Sequence, residues 1–172
     1  MGEDKNTTII DGGGTGDIIS ITDDWVNISG FTVTNSGNET YYKGIGLYSN
    51  NCSISDCNIS YNNAHGFILI GANNKISHCA ISHNAYQGLL ITASSYNNNI
   101  SDCIMNSNGW SGICIAISSN NTIFNCASLM NGFYGVHFYN CSSAYGNDKN
   151  KITNCQFANN DVGVYLYYST NN

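Results

Sequence analysis

The sequence predicts an all-β fold, a single right-handed parallel β-helix (a solenoid) of about six to seven rungs, each made of three short strands. Three observations predict it: an internal repeat every 22 to 29 residues, apolar residues that alternate in short bursts, and the absence of proline. Short alternating bursts are typical of strands, and without proline no ladder hydrogen bond lacks its N–H. We expect one domain over residues 1–172, with a lead-in strand and first rung over 1–25 and six repeats over 26–172.

The repeat keeps the same residue types in register through six copies, which indicates that like side chains stack on like. Each copy contains one aligned isoleucine: Ile28, Ile54, Ile76, Ile100, Ile123 and Ile152. Three residues later the first copy has Phe31 and the others a cysteine: Cys57, Cys79, Cys103, Cys126 and Cys155. Eight residues after the isoleucine, the last five copies have an asparagine: Asn62, Asn84, Asn108, Asn131 and Asn160. A glycine then precedes two alternating apolar residues: Gly44, Gly66, Gly88, Gly112, Gly135 and Gly163.

Each copy also contains three breaks in the alternation, and these predict three corners per rung. Ile54 and Cys57 are three residues apart, and this odd spacing breaks the inward-outward alternation of a strand. The segment from Asn62 to Gly66, at the next corner, is rich in residues that tolerate left-handed backbone angles. Asn-rich stretches such as residues 97–99 mark the third corner. Successive rungs should therefore pair in parallel, about 4.8 Å apart.

Composition excludes two classes of partner. The chain has a net charge of −6, five lysines and no arginine, so it offers no cationic stripe for nucleic acid or for an anionic membrane surface. No apolar run reaches about 18 residues, so we expect no membrane insertion. The residues after Met1 are polar and do not form an export signal. We nevertheless expect an extracellular or cell-surface protein.

One motif resembles a known family. Residues 74–91 read Asn-x-Ile-Ser-x-Cys-x-Ile-Ser-x-Asn followed by a glycine and alternating apolar residues, and residues 98–115 are similar. This pattern resembles the parallel β-helix repeat family, which includes NosD-like copper-insertion proteins and carbohydrate-binding and sugar-hydrolase modules. The opening Ile9 to Gly14 is similar to the lead-in strand of archaeal surface-protein repeats. The resemblance implies the fold, and as expectations a sugar-related role or periplasmic copper delivery.

We interpret the cysteine and asparagine rows as structural. Cysteine fills tight interior corners as a small apolar residue, and parallel neighbours in register have poor geometry for a disulfide. We therefore predict free, buried thiols in the row. The redox states of Cys52, Cys114 and Cys141, which lie outside it, stay open. Stacked asparagine amides can hydrogen-bond from rung to rung.

Candidate ligands for a metal fall into two groups. Two residues after the aligned isoleucine, three rungs place Asp56, His78 and Asp102 in one column, and Cys114 lies beside His137 in another. A solvated corner is the favoured interpretation of the first column, and one thiol with one imidazole is a meagre copper site. We expect no cofactor.

The first column also contains the only candidate catalytic pair. Asp56 and Asp102 would lie about 9.6 Å apart, two rungs along the solenoid, which is close to the separation of an inverting hydrolase pair. A lyase that acts on uronic acids would need a cation to neutralise the substrate, and the lack of arginine argues against one.

Three aromatic residues two positions before the glycine should stack along one corner: Tyr86, Trp110 and Phe133. Flat rings at rung spacing can form a platform for sugar rings, with Gln87, Ser111 and Tyr134 nearby to bind hydroxyl groups. An equally weighted alternative is a corner stack that covers the core.

The strand after the glycine row has apolar residues at its outward positions as well. One outward row contains Ile68, Leu90 and Cys114, and the next contains Ile70, Thr92 and Ala116. A contiguous exposed apolar patch favours a partner surface, so we predict lateral self-association. Neither end carries a capping helix, so we expect either a segment of a longer chain or end-to-end stacking beyond Asn171-Asn172.

Taken with the composition, these features favour a non-catalytic surface module that binds glycan or itself. A polysaccharide lyase or hydrolase and a NosD-like copper-delivery protein are the two alternatives.

Overall fold

The structure is a computed structural model, and it describes residues 1–141 and 149–169. Within these residues, twenty strands, numbered β1 to β20 in chain order, form three parallel sheets. Sheet A contains β1 (Ile9–Asp11), β4 (Thr32–Thr34), β7 (Asn58–Ser60), β10 (Ala80–Ser82), β13 (Ile104–Asn106), β16 (Ala127–Leu129) and β19 (Gln156–Ala158). Sheet B contains β2 (Ile19–Ile21), β5 (Lys43–Leu47), β8 (His65–Leu69), β11 (Leu89–Ile91), β14 (Ile113–Ala116), β17 (Tyr134–Tyr139) and β20 (Val162–Tyr167). Sheet C contains β3 (Asn27–Ser29), β6 (Ser53–Ser55), β9 (Lys75–Ser77), β12 (Asn99–Ser101), β15 (Thr122–Phe124) and β18 (Lys151–Thr153).

The chain visits sheets C, A and B in turn, and each strand pairs in parallel with the equivalent strand of the next rung. Ile100, for example, lies between Ile76 and Ile123 in sheet C. The predicted solenoid of about six rungs with three strands each is therefore confirmed. None of the described segments forms a helix with the length and hydropathy needed to cross a membrane.

The solenoid is filled by the predicted rows. The aligned isoleucines from Ile54 to Ile123 and the alternating residues of sheet B, such as Phe67 and Leu89, are fully buried. All five cysteines of the row are free thiols; four are buried and Cys155, in the last rung, is half-buried. The thiols hydrogen-bond to backbone carbonyl groups, as Cys103 does to Ser101 at 3.1 Å.

The three corners are sharp because one residue at each takes a left-handed conformation. Between sheets C and A these residues have φ of 51° to 55°: Asp56, His78, Asp102, Asn125 and Asn154. Asn, Asp and His are several-fold enriched at such angles. The column that looked like a row of metal ligands therefore has a backbone reason for its residue types.

Two asparagine ladders run along the core, although the sequence pattern revealed only one. In the predicted ladder, the Asn84 amide donates to the Asn108 carbonyl oxygen at 2.9 Å. The second ladder lies at the corner between sheets B and C, two residues before the aligned isoleucine, and consists of Asn74, Asn98, Asn121 and Asn150. Each ladder satisfies backbone groups at a buried corner, where an unpaired group would be costly.

The last rung leaves its apolar side chains uncovered. Val164 and Leu166 continue the inward row of sheet B but are exposed, because no further strand pairs with β20 within the described residues. The insertion Ser142 to Asp148 and the end at Asn171-Asn172 lie outside the described residues.

Candidate functional site

The outer face of sheet B carries the most varied chemistry of the molecule. The residues before the glycines form one column, since Lys43 pairs in register with His65 and Tyr134 pairs with Val162, and several of them line cavities on this face. This column consists of Lys43, His65, Gln87, Ser111, Tyr134 and Val162. The next outward column includes Leu90, Cys114 and His137 on consecutive rungs.

Two cavities lie side by side on this face and form one groove. The larger cavity measures about 430 Å³ and is lined by Gln87, Trp110, Ser111, Cys114, Ala116, Phe133, Tyr134, His137 and Tyr139. The smaller measures about 290 Å³ and is lined by Thr40, His65, Tyr86, Gln87 and Trp110. Because Gln87 and Trp110 line both cavities, the two cavities adjoin, and together they extend across several rungs.

The larger cavity exists because β14 has small side chains where its neighbours have large ones. In one outward column Cys114 lies between Leu90 and His137. In the adjacent column Ala116 lies beside Tyr139. The small pair forms the floor of a depression, and the longer side chains of the adjoining rungs form its walls.

The predicted aromatic corner forms one edge of the groove, but it isn't a flat platform. The ring centroids of Tyr86 and Trp110 are 5.7 Å apart with an interplanar angle of 79°, and those of Trp110 and Phe133 are 6.1 Å apart at 70°. Aromatic pairs prefer edge-to-face contacts to sandwich stacking, which explains the correction. Trp110 and Phe133 are 50% and 48% exposed and so remain available to a ligand.

Several polar groups in the groove have no partner within the described residues, including the buried atoms Nδ1 of His65 and Nε2 of His137. Ser111 is only 1% exposed, yet within the described residues its hydroxyl makes no hydrogen bond. The side-chain amide of Gln87 is likewise unpaired in that part of the chain. A few convergent polar groups among apolar walls are typical of a small-molecule site.

His65 forms the floor of the smaller cavity as a neutral imidazole. Its Nδ1 is buried and has no hydrogen-bond partner in the described chain. Burial lowers the pKa of His65 to about 4, and the positive charge of Lys43 contributes. Lys43 in turn forms an ion pair with Asp17 at 2.7 Å.

The buried His65 predicts a loss of stability in acid. Its ordinary pKa of 6.5 applies in the unfolded chain, so between pH 6.5 and pH 4 the unfolded state binds the proton and the folded state doesn't. Stability should fall across that window by about 3 kcal/mol because of this residue. We expect His65→Gln, which keeps a polar side chain but cannot titrate, to lose this part of the pH dependence in urea unfolding at pH 7 and pH 4. Equal pH dependence in both proteins would contradict the assignment.

The Cys114 and His137 pair lies in the larger cavity, with Sγ and Nδ1 3.9 Å apart. Burial raises the pKa of Cys114 to about 12 and lowers the pKa of His137. The thiol is therefore protonated and the imidazole neutral at ordinary pH, so the pair is not an ion pair with an activated thiolate.

The other candidate metal and catalytic residues lie elsewhere. Asp56, His78 and Asp102 occupy the corner between sheets C and A, whereas the groove lies on sheet B. Asn125 donates to the Asp102 carboxylate at 2.6 Å and lowers its pKa. Within the described residues no three His, Cys, Asp or Glu side chains gather into a metal site.

The predicted self-association face is only partly exposed. Ile68 and Cys114 point outward but are 9% and 5% exposed, and Cys114 lies against His137. Their partners in the two rows, Leu90, Ile70, Thr92 and Ala116, are half-buried. The expected exposed apolar patch is thus broken, since longer side chains on adjoining columns and rungs flank these residues.

Sequence reasoning had found the aromatic edge, Gln87 and Tyr134, but not the roles of His65, Thr40 and Tyr139. His65 and Gln87 occupy the same column before the glycine, so extending that column by one rung would have included His65. Thr40 lies in an insertion and gave no periodic signal.

The fold and the groove define a solenoid of a widespread architectural class, and comparison with known proteins agrees. The family described as right-handed beta helix region matches residues 5–147, and the chain belongs to this family. Comparison with curated protein sequences finds no match.

Several solved structures share the fold. The periplasmic alginate epimerase AlgG is 16% identical with a TM-score of 0.71, over 92% of this chain and 44% of AlgG. The A-module of the Azotobacter vinelandii mannuronan C-5 epimerase AlgE4 is 14% identical with a TM-score of 0.59, over 91% of this chain and 58% of the module. The chain thus spans about half the length of these proteins, and at such identity the likeness concerns the fold.

Proposed function

We propose that this β-helix is a non-catalytic module that binds an uncharged polysaccharide along the groove of sheet B, outside the cytoplasm. The observation that carries the proposal is that the two cavities adjoin at Trp110, which is half-exposed and lines both. Aromatic side chains supply large contact area to the apolar faces of sugar rings, and Gln87, Ser111 and Thr40 can bind hydroxyl groups.

The charges in the groove favour a neutral glycan over a uronate polymer. Neither cavity is lined by lysine or arginine, and nearby Lys43 is already paired with Asp17. His65 is neutral above about pH 4. An alginate chain would therefore bring its carboxylates to a protein of net charge −6 without compensation. The alginate epimerases that share this fold support a role with glycans in general, but they do not support alginate in particular as the ligand.

The groove also favours binding over hydrolysis. None of the residues that line the two cavities is Asp or Glu, whereas a glycosidase needs a pair of carboxyl groups at the scissile bond. Copper delivery and self-association stay predictions, since nothing in the described groove favours either.

We expect Trp110→Ala to weaken binding of a neutral oligosaccharide about tenfold or more, because a half-exposed aromatic anchor at the centre of a site carries much of its binding energy. Affinity electrophoresis in gels containing β-glucan, chitin oligomers, mannan or alginate measures the effect. Trp25→Ala is the matched control, since Trp25 is exposed at a corner outside the groove. Retention by alginate alone, or equal losses in both variants, would contradict the proposal.

A further inference from the structure

We infer that the larger cavity of the groove selects a sugar that carries an acetamido group. The inference rests on the proposed function, because it assigns a substrate class to the same groove. It rests on the shape of the cavity and on its unpaired polar groups, which together complement an acetamido sugar better than an unsubstituted hexose.

The shape of the cavity fits a small apolar substituent. Its floor consists of Cys114 and Ala116, two small side chains, and its walls include Trp110, Phe133 and Tyr139. A hydroxyl group placed against Ala116 would lose its water and find no polar partner on that side chain, which is unfavourable. A methyl group placed there would instead bury apolar surface against apolar surface.

The polar groups of the cavity complement an amide. The Ser111 hydroxyl is almost completely buried without a hydrogen bond within the described residues, and the Gln87 amide is also unpaired there. An acetamido group has one N–H donor and one carbonyl acceptor, and a hydroxyl with a carboxamide can serve both. Nε2 of His137, which also lines this cavity, is buried without a partner in the described chain, so a ligand group that pairs it gains more than it would from an exposed contact.

The electrostatics of the cavity distinguish an acetamido sugar from an amino sugar. The aromatic walls and the net charge of −6 would attract an ammonium group. No carboxylate lines the cavity, however. An ammonium group also has no acceptor atom for the unpaired N–H donor of Gln87. The neutral amide is the better match.

The test compares three trisaccharides that share one β-1,4 backbone: tri-N-acetylchitotriose, cellotriose and deacetylated chitotriose. Isothermal titration calorimetry should show the acetylated sugar binding at least about tenfold more tightly than cellotriose. Equal binding of these two, or binding of some other neutral glycan alone, would overturn the inference and leave the proposed function standing, whereas tighter binding of deacetylated chitotriose, which is cationic, would overturn both. Failure of every neutral glycan to bind would overturn both.

Three variants locate the effect in the cavity. Ser111→Ala should weaken tri-N-acetylchitotriose about three- to tenfold and leave cellotriose unchanged. Ala116→Phe should fill the floor and abolish the preference, whereas Thr92→Phe, one rung earlier and outside the cavity lining, should preserve it. Thermal unfolding confirms that each variant is folded. An unchanged preference in Ala116→Phe would place the selective contact elsewhere and overturn the inference.

Discussion

Replacing Asn108 by aspartate is expected to destabilise the fold by roughly 4 kcal/mol at pH 7. Asn108 is 1% exposed, and its amide nitrogen donates to the Ile81 carbonyl and to Asn131 Oδ1, each at 3.0 Å. Its carbonyl oxygen accepts from the backbone and the amide of Asn84. In the variant, a carboxylate oxygen replaces the amide nitrogen and would face two hydrogen-bond acceptors, the Ile81 carbonyl oxygen and Asn131 Oδ1. The buried negative charge would also have no cation to pair with.

Urea unfolding measured from pH 7 to pH 4 tests this account, because the deficit should shrink in acid. A protonated carboxyl group can donate to one of the two acceptors, so burial raises the pKa of the new aspartate and its proton restores part of the ladder. Asn73→Asp adds the same charge at an exposed corner and should be close to neutral. A similar deficit in both variants would mean that net charge, and not the ladder, is responsible.

The fold could be predicted because every rung of a solenoid repeats the same local sequence pattern. The residues of the isoleucine, cysteine and glycine rows each appear five or six times at fixed spacings, so an irregular copy does not hide the repeat. The second asparagine ladder was missed because Val26 and Cys52 occupy its position in the first two copies and runs of two or three Asn obscure its register. The spacing of Asn74, Asn98 and Asn121 from the next isoleucine would have revealed it.

The site was harder to predict because it depends on how rungs differ. The aromatic edge could be read from Tyr86 and Trp110, which occupy one position in consecutive copies. The depth of the groove arises from small side chains at Cys114 and Ala116 next to large ones, a difference that the repeat pattern averages out. The ring orientations follow from side-chain packing, which spacing does not encode.

The glycine and asparagine rows depend on each other, which explains why both persist in register. A Cβ atom added at Gly88 would lie 2.7 Å from Asn108 Nδ2 and 2.7 Å from the carbonyl oxygen of Gly112, both in the next rung. The same relation joins Gly66 to Asn84. Each glycine leaves the space into which the following rung inserts its ladder amide, so sheet spacing and amide pairing are set together.

Gly88→Ala is therefore expected to cost about 3 kcal/mol or more, since overpacking a buried site against backbone forces the rungs apart. Gly163→Ala is the matched control at the same position of the repeat. An added Cβ there would meet only Phe157 Cβ, at 3.7 Å, because no later strand pairs with β20 in the described chain. We expect that variant to lie within about 0.5 kcal/mol of the parent in urea unfolding. If both glycines cost the same, backbone conformation rather than contact with the next rung would explain the row, and the coupling between glycine and asparagine would be wrong.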